Sequence, residues 1–125
     1  MCQYSEGSKK KVLVVDDDPG IIYAMRLLLE EEGYAVTLVD RGEEVEKVLA
    51  TNPPDIILLD MLLSGKDGRA ITRQLKSQEQ TRHIPIIMFS AHPSLSKEAP
   101  AAGADDFMTK PFKIEVLLEK LARYT

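Results

Sequence analysis

Three acidic residues in succession, Asp16, Asp17 and Asp18, follow directly on the apolar run Val12-Leu13-Val14-Val15. A second apolar run, Ile56-Ile57-Leu58-Leu59, ends in Asp60; a third ends in Ser90; a short one around Phe107 is followed by Lys110. Two carboxylates about 4 Å apart repel by roughly 4 kcal/mol at an effective dielectric near 20, comparable to a sizeable part of a small domain's stability. Solvent, a helix N-terminus or a cation must offset it. Asp18, followed by Pro19, reads as a helix N-cap with proline at the first helical position. Carboxylates brought together from separate runs make a hard, oxygen-rich pocket suited to Mg²⁺ (or Mn²⁺), which takes a few carboxylates, keeps several waters and shares a phosphate oxygen. Lys110 adds a compact positive charge and Ser90 a hydroxyl that can donate to a phosphate oxygen. A carboxylate beside such an ion and a lysine can attack phosphorus and form an acyl phosphate.

Periodicity supplies elements that would bring these groups together. Residues 12–15 are apolar and rich in β-branched side chains, the pattern of a strand buried on both faces. Ile21, Ile22, Met25, Leu28 and Leu29 fall on one helical face, closed by Gly33 as a C-cap glycine. Strands are predicted at 35–39, 55–60, 84–90 and 106–109, and helices around Val45, Val48 and Leu49, over about 68–78, and along Ile114, Leu117, Leu118 and Leu121. The segment 64–68 reads as a loop. The stretch 91–104 makes a poor helix, because Pro93 and Pro100 bracket it. Five strands alternating with five helices predict an α/β fold: a doubly wound parallel sheet covered on both faces, a three-layer sandwich. Ligands in such sheets sit beyond the carboxyl ends of the strands, which is where Asp16, Asp17, Asp60, Ser90 and Lys110 fall.

At 125 residues, with 44% apolar and 29% charged residues, the chain suits one globular domain. The net charge of -4 and the lack of a basic stripe argue against nucleic-acid binding. Cys2 is the single cysteine, so no internal disulfide forms. No apolar run approaches the ~20 residues a membrane span needs, and the N-terminus lacks the apolar segment of a signal peptide, so the expected location is cytoplasmic. Residues 1–10 read as a polar tail and 11–125 as the domain.

The motifs "VLVVDDDPG", "DIILLDMLLSGKDG", "IIMFSAH" and "GADDFMTKPF", in this order and spacing, resemble the receiver domain of two-component response regulators from about Lys11 to Tyr124. The resemblance implies a flavodoxin-like fold with strand order 2-1-3-4-5. It implies a non-enzymatic phosphorelay module whose Asp60 takes a phosphoryl group from a sensor histidine kinase or phosphotransfer protein and then switches a binding face. It further implies that Asp16, Asp17, Asp60 and the backbone carbonyl of Leu62 hold the metal. Ser90 and Lys110 are implied to contact the phosphoryl group, and Phe107 to match the aromatic switch residue.

The chain departs from the family pattern twice. Leu63-Ser64 stands where Met-Pro is usual, which removes a fixed φ and predicts a looser loop. The interval from Ser90 to Lys110 is about two residues short and contains Pro100, which predicts a short or displaced fourth helix. Leu62 and His92 flank the approach of a hydrolytic water, and an apolar Leu62 predicts a long-lived acyl phosphate. The plainer readings are Phe107 as a packing residue, Asp105 and Asp106 as solvated turn residues, and His83 and His92 as surface histidines. Two other functions compete. One is a haloacid-dehalogenase-like phosphatase with Asp16 as nucleophile and Asp18 as its partner acid, although Pro19-Gly20 and the lack of room for a cap domain count against it. The other is a pseudo-receiver scaffold that never takes a phosphoryl group. No linker or helix-turn-helix pattern follows the last helix, which fits a stand-alone regulator or a fragment of a longer protein.

Overall fold

The computed structural model of the chain describes residues 9–63 and 66–125. Its main sheet consists of β1 (Lys11–Val15), β2 (Ala35–Val39), β3 (Ile56–Asp60), β6 (Ile86–Ser90) and β7 (Asp106–Thr109), with the hairpin strands β4 (Leu62–Leu63) and β5 (Lys66–Asp67) between β3 and β6. The helices are α1 (Pro19–Glu31), α2 (Val45–Thr51), α3 (Gly68–Ser77), α4 (Glu98–Ala102) and α5 (Ile114–Tyr124). The five sheet strands lie in the order β2-β1-β3-β6-β7, all pairs parallel. Numbered among themselves they give the expected 2-1-3-4-5.

Why these strands are buried on both faces is visible in the core. Every residue of β3 and β6 is buried, and successive side chains enter opposite layers. Leu13, Val15, Ile57, Leu59, Ile86 and Met88 pack with Val45, Ile71, Leu75 and Ala99 of α2, α3 and α4. Val12, Val14, Ile56, Leu58, Ile87 and Phe89 pack with Ile22, Met25, Leu29, Leu117 and Leu121 of α1 and α5. Asp18 caps α1 as expected, its Oδ1 accepting from the Gly20 amide at 3.0 Å, and Gly33 ends that helix at φ 97°. Leu28 is exposed, so the buried face of α1 is narrower than the periodicity predicts. Among the described residues no helix is long and apolar enough to cross a membrane.

Some local expectations are corrected. Most of 64–68 is not plain loop: β5 pairs antiparallel with β4, so both flanks are hydrogen-bonded, and Gly68 already opens α3. Ser64 and Cys2 lie outside the described residues. A 3-10 turn over Gly42–Glu44 precedes α2, and β6 starts at Ile86 because Asp105 Oδ2 takes up the Ile86 amide at 2.8 Å. The fourth helix is short as expected, a 3-10 turn at Pro93–Leu95 followed by the five residues of α4.

Asp105 lies exposed in a bend, as expected, but Asp106 is not a solvated turn residue. Asp105 Oδ2 also accepts from Lys76 Nζ at 2.9 Å. Asp106 stands in β7 and binds Lys120 Nζ through both oxygens at 3.0 Å and the Tyr124 hydroxyl at 3.2 Å. Burial opposes ionisation of Asp106, but Lys120, the Phe107 amide and Tyr124 together hold its carboxyl below 3.8. A carboxylate depressed in the folded state stabilises above its unfolded pKa and loses that contribution as pH falls through the folded value. Asp106→Asn is therefore expected to lower unfolding free energy by about 1 kcal/mol at neutral pH. Urea denaturation should show that gap closing once the pH is taken well below 3.8.

Candidate functional site

The carboxyl ends of β1, β3, β6 and β7 form one rim. Asp16 directly follows β1, continues the sheet through its amide to the Val39 carbonyl at 3.2 Å, and has no exposed surface. Its Oδ1 accepts from the Asp18 amide at 2.9 Å and its Oδ2 from Lys110 Nζ at 2.9 Å. Asp60 ends β3; its Oδ1 accepts from the Leu62 amide at 3.2 Å and its Oδ2 from the same Lys110 Nζ at 3.3 Å. Carboxylate oxygens of Asp16, Asp17 and Asp60 lie within 4.8 Å of one another. Lys110 reaches the rim because its amide donates to the Ser90 carbonyl at 2.7 Å.

The electrostatics follow from that crowding. Burial and the neighbouring charge of Asp16 push the Asp60 carboxyl up to about 6, against the opposing pull of Lys110 and the Leu62 amide. Burial works against the Lys110 charge, yet Asp16 and Asp60 override it and raise its pKa. The Lys110 ammonium is shared between Asp16 and Asp60, and the Asp17 carboxylate lies beside them. An all-oxygen donor set gathered at the carboxyl ends of the strands fits a hard divalent cation such as Mg²⁺.

The predicted residues fall into three groups. Asp16, Asp17, Asp60 and Lys110 meet directly. Ser90 is buried at the end of β6, its Oγ accepting from the His92 amide at 3.1 Å, one residue beyond the position that pairs with Asp60. Leu62 and His92 are exposed at the edge of the rim, Leu62 by 44%. Phe107, half-buried, packs against the core on the α2, α3 and α4 side. Asp16 is a poor nucleophile here, fully buried with both oxygens engaged.

The sequence reading missed Gly68. A Cβ there would lie 2.3 Å from the Asp60 carbonyl oxygen and 2.9 Å from that of Met61, whose carbonyl accepts the Gly68 amide at 2.8 Å. The first turn of α3 thus rests on the backbone of Asp60, and only glycine permits that approach. Asp67 caps the helix through the Arg69 amide at 2.8 Å, so the pair Asp67-Gly68 carried the signal. Phe89 was also overlooked, although its ring lies 4.8 Å from Lys110 Nζ.

Comparison with known proteins identifies the family and the fold. A family model described as the response regulator receiver domain matches residues 12–122. The response regulator MprA of Mycobacterium sp. (strain KMS) is 37% identical over 113 residues, covering 89% of this chain and 48% of that protein. The phosphate regulon transcriptional regulatory protein PhoB of Rhizobium meliloti (strain 1021) is 35% identical over 113 residues, covering 89% and 50%. The chain thus spans about half the length of the curated relatives it matches. Among solved structures, the chemotaxis response regulator CheY4 of Vibrio cholerae superposes with a TM-score of 0.86 at 30% identity, covering 94% of this chain and all of that one. The receiver domain of the sensor histidine kinase PA1611 from Pseudomonas aeruginosa PAO1, solved with a magnesium ion coordinated in its active site cleft, gives 0.84 at 32% identity, covering 94% and 98%.

Two outcomes follow from the packing and charge of the rim. Asp60→Asn removes a carboxylate whose ionised form is penalised in the folded state. Without divalent cations it is expected to be more stable than wild type by on the order of 2 kcal/mol above pH 6. A raised pKa costs stability as pH climbs past the unfolded value of 3.8, so thermal denaturation should show the advantage shrinking from pH 6 towards 3.8. Gly68→Ala forces backbone apart at the end of β3 and should cost about 3 kcal/mol or more, read by urea denaturation.

Proposed function

Because the chain belongs to the response regulator receiver family of two-component phosphorelays, we propose that Asp60 is its phosphoacceptor, taking a phosphoryl group from a sensor histidine kinase or phosphotransfer protein. The observation that carries this reading is the Lys110 ammonium shared between Asp16 Oδ2 at 2.9 Å and Asp60 Oδ2 at 3.3 Å, beside the cluster of carboxylate oxygens from Asp16, Asp17 and Asp60. Asp16 is buried and anchors the lysine; Asp60 stands at the mouth.

The transfer is an in-line displacement. An oxygen of Asp60 attacks the phosphorus of a donor phosphohistidine, the P–N bond breaks as the P–O bond forms, and the electron pair leaves on the imidazole. Asp16, Asp17, Asp60 and the Leu62 carbonyl would hold Mg²⁺ or Mn²⁺, and such an ion would supply neutralisation of charge on the transferring oxygens. Lys110, already donating to Asp16 and Asp60, donates its third N–H to a phosphoryl oxygen, and the Ser90 hydroxyl donates to another. Movement of Ser90 towards the phosphoryl group, followed by Phe107 against the α4 side, changes a binding face. Leu62 and His92 border the path of the hydrolytic water and set how long the acyl phosphate lasts. Beyond that phosphotransfer and its own dephosphorylation the domain catalyses nothing.

Incubation with a small-molecule phosphodonor and Mg²⁺ tests the assignment. Intact-mass analysis should find one phosphoryl group on wild type and none on Asp60→Asn, and Lys110→Ala should label roughly 100-fold more slowly. Label on Asp16, or none on a folded wild type, overturns the reading; the second result would instead favour a scaffold that never phosphorylates. For the lifetime, Leu62→Asn is expected to shorten the half-life of the labelled protein several-fold, followed by loss of label after donor removal.

A further inference from the structure

Lys110 must satisfy two demands. Its ammonium is held by Asp16 and Asp60, and a phosphoryl group arriving on Asp60 needs a donor from the same nitrogen. An ammonium has only three N–H donors. A further protein oxygen would tie up the last one. The structure places a ring there instead: Lys110 Nζ lies over Phe89, 4.8 Å from the ring centroid. An aromatic face attracts a cation through its quadrupole without taking an oxygen-directed hydrogen bond.

The ring is fixed from three sides. Phe89 is fully buried, and Phe112 meets it edge-on with centroids 6.1 Å apart and planes at 71°. In the sheet Phe89 pairs with Asp60 on β3 and with Met108 on β7. Lys110 is tied by its own amide to the carbonyl of Ser90, the residue after Phe89. One strand end therefore sets acceptor, ring and lysine together. We infer that Phe89 is a positioning residue for phosphoryl transfer: its ring face holds the Lys110 ammonium beside Asp60 while leaving a donor for the phosphoryl group, an inference that rests on the roles given above to Asp60 and Lys110. Leucine at this position would fill the core but offer the ammonium nothing.

The test keeps shape and electronics apart. Phe89→Leu removes the ring, while site-specific replacement of Phe89 by mono-, di- and trifluorophenylalanine keeps its shape and progressively weakens its negative face. Labelling rates with a small-molecule phosphodonor and Mg²⁺ should fall stepwise along the fluorinated series, reaching roughly 3- to 10-fold, with unfolding midpoints unchanged. In a Lys110→Ala background the same replacements should have no effect, a non-additivity that simple packing damage does not produce. Independently of phosphorylation, the Lys110 side-chain methylene protons should show an upfield ring-current shift by NMR that disappears in Phe89→Leu. Equal labelling rates across the fluorinated series, or effects that persist without Lys110, overturn the role of Phe89 while wild type still labels at Asp60. Failure of wild type to label, with the ring-current shift intact, overturns the acceptor reading itself.

Discussion

The site depends on one ammonium divided between two carboxylates. Asp16 is wholly buried, and a lone buried carboxylate costs several kcal/mol. Lys110 and the Asp18 amide make its burial tolerable. Having served Asp16, Lys110 has only a longer contact left for Asp60, whose carboxyl is pushed up to about 6. Asp16 is satisfied and wholly buried; Asp60, the less well-paired carboxylate, keeps a small exposed surface.

That division of labour is a consequence of the parallel sheet. Parallel strands all finish on one side, so four chain segments far apart in sequence deliver their terminal residues to one rim without any loop having to travel. The register supplies the fine adjustment: Asp60 opposite Phe89, and Ser90 opposite Thr109, put Lys110 one step past Ser90. The rim is then fixed from below by Gly68, whose missing side chain lets the first turn of α3 lie on the Asp60 backbone.

Much of this was legible in the sequence because it was written in short apolar runs ending in polar residues. Those runs specify strands buried on both faces, and the alternation with helical periods specifies a parallel sheet. The carboxylate cluster followed from strand-end position alone. Gly68 was not legible, because what it requires is a backbone approach between segments, and no local pattern of residue types encodes that. Asp106 was misread for the same reason: the second of two adjacent acids looks solvated until Lys120 and Tyr124 from α5 fold over it. Phe89 reads as one more apolar residue in a strand until the lysine that follows β7 is laid over its face.

The short fourth helix shows how such non-local contacts replace missing local stability. Five residues are too few for a helix to persist on its own propensity. What holds α4 is the burial of Ala99 and Ala102, the left-handed Gly103 that ends it, and the ion pair between Arg69 and Glu98 at its first residue. Arg69 simultaneously grips Asp67 through Nε at 3.0 Å and a second nitrogen at 2.7 Å. Asp67 belongs to the hairpin that begins two residues after Asp60. The position of α4 is thus referred, through one guanidinium, to the segment that leaves Asp60. A long helix would carry its own register; this one takes its register from the neighbourhood of the site.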